Sequence, residues 1–268
     1  MDSADGRLLQ ASPTEGVRGA YGWRGRIGLL APSRGDTLLH EFYTVAPVGV
    51  MAVPYSCELT HLERGQLERV FARYADGIAK LAREEVDVIS IGGTPGQIVH
   101  GGARCAELIA ELRASNEVPL VFSSESEVDI VARSGAKRIA LLSPHKDELH
   151  ERLVEVFTDA GTEVVSSQGL GLTDTHEIGK LTPERLYREV VELWRTARDL
   201  GADGVHVTCP RWPTIGILAP LEERLGVPVT SGAQAQIWSA FRTLRLTPRP
   251  GAWGSAFDLD RGRSDDPG

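Results

Sequence analysis

Cys209 is the residue of this chain best suited to proton transfer or covalent chemistry. It follows the alternating run ADGVHVT at residues 202–208, whose valines favour a short strand. A helix is predicted over residues 213–225, and open α/β sheets bind their ligands where strands end in this way. The helix dipole and the neighbouring Arg211 would favour a thiolate. The competing interpretation makes Cys209 a buried apolar residue, which is the usual role of a free cysteine.

Polar residues follow three other predicted strands. They are Ser33 after RIGLLA, Thr94 after VDVISI and His145 after RIALL. Thr94 lies in the turn GGTPG, which can bind a carboxylate or an oxyanion but lacks the Walker lysine and the dinucleotide spacing. Its hydroxyl either contacts a ligand or stabilises the turn. His145 is either a hydrogen-bonding or basic group of the site or an ordinary loop histidine.

The elements that would position these residues alternate along the chain between apolar strands and amphipathic helices. From residue 26 onward this alternation is typical of a doubly wound parallel α/β fold. The pattern predicts a strand over residues 48–53, one long helix over residues 67–84, and a polar turn at residues 123–126. Another long helix is predicted over residues 183–200.

A short internal repeat predicts two similar lobes. RIGLL at residues 26–30 is echoed by RIALL at residues 138–142, and each is followed by a proline-containing turn. We expect each lobe to be a parallel sheet flanked by helices, with the site in the crevice between them. The first lobe would comprise residues 26–122 and 231–260, and the second residues 123–230. Flexible tails are expected at residues 1–25 and 261–268.

Composition argues against several classes of partner. The 268 residues include 29 basic and 37 acidic residues without a basic cluster, which disfavours nucleic acid as a partner. No apolar run is long enough for a membrane helix, and the N-terminus lacks a signal-peptide pattern. The cysteines, Cys57, Cys105 and Cys209, have neither metal-ligand spacing nor an even number, so no metal site is expected and a cytoplasmic location is predicted. The choice between a monomer and a homo-oligomer is left open.

The order of these motifs resembles a known superfamily. The segments APS at 31–33, GT at 93–94, SPH at 143–145 and TC at 208–209 are similar in order and placement to those of the aspartate/glutamate racemase superfamily. The segments GVPVTS at 226–231 and QAQIWSA at 234–240 resemble its arylmalonate decarboxylase and maleate cis-trans isomerase branch. The resemblance implies a two-lobed fold, a small carboxylate substrate and no cofactor.

The resemblance also implies roles for individual residues. The cysteine of the second lobe is matched by Cys209, whereas the cysteine that racemases carry in the first lobe falls on Gly93. A glycine there with a single second-lobe cysteine is the decarboxylase pattern. Substrate contacts are implied for Ser33, Gly93, Thr94, Pro95, Thr175 and Pro210, with His145 where a tyrosine is expected. Pro95 and Pro210 depart from the pattern because proline has no N–H with which to bind an oxyanion.

Three functions follow from this reasoning. The leading hypothesis is a cofactor-independent decarboxylase of a malonate-type acid, in which Thr94 and nearby amides hold the enediolate and Cys209 donates a proton. The first alternative is a maleate cis-trans isomerase-like enzyme that uses Cys209 as a nucleophile. The second alternative is a degenerate protein that binds small acids without turnover, which Pro95 and Pro210 would favour.

Overall fold

Two four-stranded parallel sheets form the framework of the protein in the computed structural model, which describes residues 21–259. The first sheet has the order β2-β1-β3-β4, with β1 at Gly25–Ala31, β2 at Val50–Ser56, β3 at Val88–Ile91 and β4 at Leu120–Phe122. The second has the order β6-β5-β7-β8, with β5 at Arg138–Ser143, β6 at Glu163–Gly169, β7 at Gly204–Val207 and β8 at Val229–Ser231. The predicted α/β fold with two similar lobes is confirmed.

Helices connect and cover the strands. Those before the second sheet are α1 (Asp36–Val45), α2 (Arg64–Glu68), α3 (Val70–Arg83), α4 (Thr94–Ile98), α5 (Gly102–Ala114) and α6 (Ser123–Ser134). Those that follow are α7 (Asp147–Asp159), α8 (Thr175–Ile178), α9 (Pro183–Asp199), α10 (Ile215–Leu225) and α11 (Gly232–Thr243), with a final 3-10 helix at Ser255–Asp258. Helix α11 contacts β3 and β4, which supports our proposal that residues 231–260 belong to the first lobe.

The central strands β3 and β7 are buried along their whole length, as expected for parallel strands covered on both faces. Apolar residues fill β3 except for Ser90, whereas β7 contains His206, whose side chain has no exposed surface. A buried imidazole needs hydrogen-bonding partners, so His206 marks a polar connection within the core.

Several predicted boundaries differ from the structure for local reasons. The strand predicted to end at residue 53 continues to Ser56, because β2 is an edge strand and tolerates Pro54. The single helix predicted over residues 67–84 is divided at Arg69 into α2 and α3. The segment 123–126 is the first turn of α6 and not a polar turn.

The N-terminal boundary also differs. Residues 21–25 belong to the folded part: the N–H of Arg24 donates to the carbonyl of Gly49 at 3.0 Å, and Gly25 begins β1. The remainder of the tail predicted at residues 1–25, and the tail predicted at 261–268, lie outside the described residues.

Candidate active site

One cavity between the two sheets is lined by all the residues that the sequence singles out as candidate site residues. These are Ser33, Gly93, Thr94, Pro95, His145, Thr175, Cys209 and Pro210. The space open to water molecules in the cavity is about 60 Å³. Apolar side chains, among them Leu38, Leu59, Leu62 and Ile178, form much of its wall.

The turns that follow the central strands β3 and β7 are equivalent in the two lobes. The N–H of Gly92 donates to the end of β1 at 2.8 Å, and the N–H of Thr208 donates to the end of β5 at 3.0 Å. The residues that follow, Gly93 and Cys209, have φ values of 94° and 96°. Gly93 therefore occupies in the first lobe the position that Cys209 occupies in the second.

The turns after β1 and β5 are equivalent in the same way. The carbonyl of Pro32 accepts an N–H from the segment after β2 at 2.6 Å, and the carbonyl of Pro144 accepts one from the segment after β6 at 2.8 Å. Ser33 and His145 follow these prolines and both line the cavity. The short sequence echo between residues 26–30 and 138–142 thus reflects a repeat that extends to the site.

Cys209 has a strained backbone for a residue with a side chain. Its φ of 96° lies in a region that costs a residue other than glycine about 1–3 kcal/mol, and such strain often coincides with functional sites. A Cβ on Gly232 would lie 2.8 Å from the Cys209 backbone nitrogen, so a glycine is needed there for the turn to fit. The fold therefore holds Cys209 in an unfavourable backbone conformation at the wall of the cavity.

The surroundings of Cys209 disfavour the thiolate that the sequence led us to expect. Burial raises the pKa of the Cys209 thiol to about 12, and the N–H groups and charge of Arg211 oppose this only in part. The helix dipole does not help, because α10 begins at Ile215 and not at Pro213, and its first amides are already occupied. At neutral pH the thiol in the cavity is protonated, so it has a proton to donate and is a weak nucleophile.

The carboxylate that occupies those helix amides belongs to Glu41, a buried residue of α1 in the first lobe. Its Oε2 accepts the N–H groups of Thr214 and Ile215 at 2.9 and 2.6 Å. Burial raises the pKa of Glu41 even though these N–H groups lower it. Glu41 thus caps α10 from across the interface between lobes and leaves no positive helix end for Cys209.

A side chain at Gly93 would be strained in this structure. A Cβ placed there would lie 2.6 Å from the Tyr74 Oη and 2.7 Å from the Pro32 Cγ. Tyr74 is fully buried, and its hydroxyl donates to the Gly92 carbonyl at 2.9 Å, which holds the ring in place. The wall that faces the thiol is therefore closed to a second catalytic side chain at this position.

The Thr94 hydroxyl is already bound to the protein. It donates to the Glu127 Oε1 at 2.5 Å and lies 2.9 Å from the Ser123 Oγ. Glu127 was missed in the sequence because residues 123–126 were predicted to be a turn. His206, a histidine between two valines in a buried strand, was the signal that buried hydrogen-bonding partners lie nearby.

His145 is buried and its pKa falls to about 4, chiefly because burial disfavours the imidazolium ion. Its imidazole is therefore neutral at physiological pH, and its Nδ1 has no hydrogen-bond partner within the described chain. Thr175 begins α8, and its hydroxyl donates to the Thr60 carbonyl at 2.9 Å. Of these two residues, His145 has the free polar atom.

Arginine is the charged residue type of the cavity, and none of the residues placed around it is acidic. The Arg211 side chain is 13% exposed, its Nη1 donates to the Arg34 carbonyl at 2.5 Å, and its buried Nε lacks a partner in the described chain. Arg34 pairs with Asp36 at 2.8 Å. The Arg211 Nη1 also lies 3.8 Å from the Asp36 Oδ1. Pro95 and Pro210 supply no N–H, and the unpartnered Arg211 Nε and His145 Nδ1 are candidate donors to an acid in the cavity.

The comparison with known proteins identifies the family. A model of the arylmalonate decarboxylase family matches residues 40–257. The chain belongs to the arylmalonate decarboxylase family. The resemblance to the arylmalonate decarboxylase and maleate isomerase branch is thereby confirmed, and the protein is an enzyme.

Two relatives of this arylmalonate decarboxylase family member differ in their activities. A maleate isomerase of Geobacillus stearothermophilus is 24% identical over 237 residues, covering 82% of this chain and 92% of that protein. The arylmalonate decarboxylase of Bordetella bronchiseptica is 26% identical over 193 residues, covering 71% and 79% of the two chains. Membership of the family thus leaves decarboxylation and isomerisation as alternatives.

Solved structures confirm the fold. An arylmalonate decarboxylase with one glycine-to-cysteine and one cysteine-to-serine change, in liganded form, has a TM-score of 0.81 at 22% identity over 87% of this chain and 99% of that one. A maleate isomerase from Pseudomonas putida S16 has a TM-score of 0.77 at 22% identity over 87% and 98%. Within residues 21–259, no helix has both the length and the apolar character needed to cross a bilayer.

Proposed function

We propose that the protein is a cofactor-independent decarboxylase of a malonate-type or related small acid, with Cys209 as the sole proton donor. The observation that carries this proposal is the asymmetry of two equivalent turns. One presents the Cys209 thiol to the cavity, and the other presents Gly93, where Tyr74 and Pro32 leave no room for a side chain. Chemistry that needs a thiol on each wall has no second thiol here, since Cys57 and Cys105 lie in the core of the first lobe.

The proposed reaction needs one proton and no redox partner. One carboxylate of the substrate lies against the apolar wall, and its bond to the α-carbon breaks to release carbon dioxide. The electron pair of that bond remains as an enediolate, which hydrogen-bond donors stabilise. The Cys209 S–H then donates its proton to the α-carbon, and the resulting thiolate recovers a proton from water. A thiol with a pKa of about 12 is protonated at the start of every cycle.

The retained carboxylate is held by Arg211 and His145 in this proposal, and not chiefly by backbone amides. Pro95 and Pro210 lack N–H groups, and the Thr94 hydroxyl is directed to a carboxylate of the protein. The Arg211 Nε and the His145 Nδ1 are buried and unpartnered in the described chain, so an acid would satisfy them. Ser33, buried at the equivalent place in the first lobe, supplies a further hydroxyl.

A maleate cis-trans isomerase is the second candidate, favoured by the match to a maleate isomerase over 82% of the chain. A maleate isomerase of Nocardia farcinica with a cysteine-to-serine change carries a covalent succinylcysteine. In this chain, Cys209 would itself have to add to the double bond as a thiolate. The raised pKa of Cys209 makes that step unfavourable.

The test is a direct comparison of the two reactions. Wild type, Cys209→Ala and the control Cys105→Ser, whose thiol is buried away from the cavity, are incubated with methylmalonate, phenylmalonate and maleate. We expect carbon dioxide from a malonate, a loss of about 10²–10⁴-fold in Cys209→Ala, and no change in the control. Fumarate from maleate without carbon dioxide would establish the isomerase. Ligand-induced thermal stabilisation without turnover of any acid would establish the binding protein.

A further inference from the structure

Glu127 is a buried carboxylate that connects the two walls of the cavity without lining it. Its side chain is 1% exposed and it lies in α6, between the two sheets. Oε1 accepts the hydroxyl of Thr94 at 2.5 Å. Oε2 accepts the hydroxyl of Thr208 and lies 2.9 Å from the His206 Nε2.

The two threonines that Glu127 binds are next to the two equivalent positions of the site. Thr94 follows Gly93 in the first lobe, and Thr208 precedes Cys209 in the second. The second oxygen is fixed by His206, whose Nδ1 lies 2.9 Å from the Thr230 Oγ1 in β8. A single carboxylate thus links the thiol wall to the glycine wall.

A buried carboxylate is an energetically unfavourable way to hold the two lobes together. Removing a carboxylate from water costs several kcal/mol, and apolar packing often serves equally well at such a position. Burial raises the pKa of Glu127, but the bonds from His206, Thr208 and Thr94 outweigh it and keep the pKa below its ordinary value. The group therefore remains anionic, and its charge raises the pKa values of Cys209 and His145.

We propose that Glu127 is the positioning residue of the proton-donor site: it binds Thr94 and Thr208 together and so places the Cys209 thiol opposite the substrate carbon. The catalytic part of this inference rests on the proposed function. Its effect on the thiol does not, because thiol reactivity is measurable without substrate. Three titratable or charged groups surround Glu127 and Cys209. They are His206 from β7, His145 from the turn after β5, and Arg211 beyond Cys209.

The decisive variant is Glu127→Gln, which keeps the shape of the side chain and removes its charge. Its matched control is Glu125→Gln in the same helix, an exposed residue that pairs with Arg113. The first measurement is the rate of Cys209 alkylation by iodoacetamide from pH 7 to pH 11, read by mass spectrometry. We expect Glu127→Gln to react about 3–10-fold faster at pH 9 than wild type, because loss of a nearby negative charge favours the thiolate. Glu125→Gln should match wild type.

The second measurement separates positioning from stability. With an active malonate, Glu127→Gln should lose about 10–100-fold in kcat with KM within about threefold, since misplacement of a reacting group by about 1 Å costs that much. A purely structural residue would lower the melting temperature but leave the alkylation profile and kcat of the folded protein unchanged, and that result would overturn the proposal. If Glu127→Gln does not fold, Thr208→Val and Thr94→Val each remove one of the bonds that hold the thiol wall. Each should change the alkylation profile of Cys209, and unchanged profiles in both would overturn the proposal.

The outcome also distinguishes this proposal from the proposed function. A changed alkylation profile in a protein that releases no carbon dioxide would leave Glu127 as the residue that positions the thiol and would refute the decarboxylase. Carbon dioxide release with identical alkylation and kinetics in wild type and Glu127→Gln would support the decarboxylase and refute the positioning role of Glu127.

Discussion

Replacing Gly93 by alanine tests whether the wall opposite the thiol is closed. Gly93 has a φ of 94°, a conformation that costs an L-residue about 1–2 kcal/mol. The new Cβ would also lie 2.6 Å from the Tyr74 Oη, and overpacking of this kind costs about 1–3 kcal/mol. We expect Gly93→Ala to lower the free energy of unfolding by about 2–5 kcal/mol.

Two other glycines separate the conformational cost from the steric cost. Gly135 has a φ of 87° but open space where a Cβ would lie, so Gly135→Ala should cost only about 1–2 kcal/mol. Gly102 begins α5 with neither a positive φ nor a neighbour within 4 Å, so Gly102→Ala should change stability by less than about 1 kcal/mol. Urea unfolding followed by circular dichroism measures all three variants under the same conditions.

Tyr74→Phe tests whether the Tyr74 hydroxyl causes the steric cost of Gly93→Ala. This change removes the oxygen that meets the new Cβ, and the Gly92 carbonyl keeps a bond from the Gln97 Nε2 at 3.2 Å. The double variant of Gly93→Ala with Tyr74→Phe should therefore recover about 1–2 kcal/mol relative to the sum of the single changes. Equal midpoints for Gly93→Ala and Gly102→Ala would refute the claim that the wall is closed, and additive single changes would refute the role of the Tyr74 hydroxyl in closing it.

Further predictions concern charge and protonation. The Cys209 pKa of about 12 should make alkylation at pH 8 roughly 50-fold slower than that of a model thiol, measured with iodoacetamide. Glu41→Ala should lower the free energy of unfolding in urea by about 2–4 kcal/mol because two buried N–H groups lose their acceptor, whereas Glu41→Gln should cost less than about 1 kcal/mol. Arg211→Met should raise KM for an active acid about tenfold with Arg211→Lys intermediate, measured by steady-state kinetics. The pKa of Glu127 in the folded protein lies below its ordinary 4.5. The stabilisation from its carboxylate is therefore complete above pH 4.5 and is lost as the pH falls through the pKa of the folded state. Between pH 6 and pH 3 the melting temperature should fall less in Glu127→Gln than in wild type.

The sequence predicted the residues that surround the cavity because their signal is local. Ser33, Thr94, His145 and Cys209 each follow an apolar run, and the carboxyl ends of parallel strands meet at the same edge of a sheet. Periodicity and turn residues were enough to place them. Their individual roles in the reaction remain predictions.

The protonation state of the site was not predictable in the same way. It depends first on the burial of Cys209 and also on residues distant in sequence: Glu127, which binds residues of both lobes and whose charge raises the pKa of the thiol, and Glu41, which caps α10 from the other lobe. Neither contact leaves a periodic pattern. The serine-rich run at residues 123–126 also favoured a turn over the first turn of α6, which concealed the inward direction of Glu127.

The equivalence of Gly93 and Cys209 has a consequence for the handedness of the product. In the proposed decarboxylation the enediolate is planar, and the Cys209 thiol would protonate it from one face, because Gly93, at the equivalent position of the other lobe, has no side chain. A prochiral malonate would therefore yield one enantiomer, which chiral chromatography would reveal. Obtaining the opposite enantiomer would require moving the sulfur to the other half of the repeat, where the Tyr74 hydroxyl stands in its way.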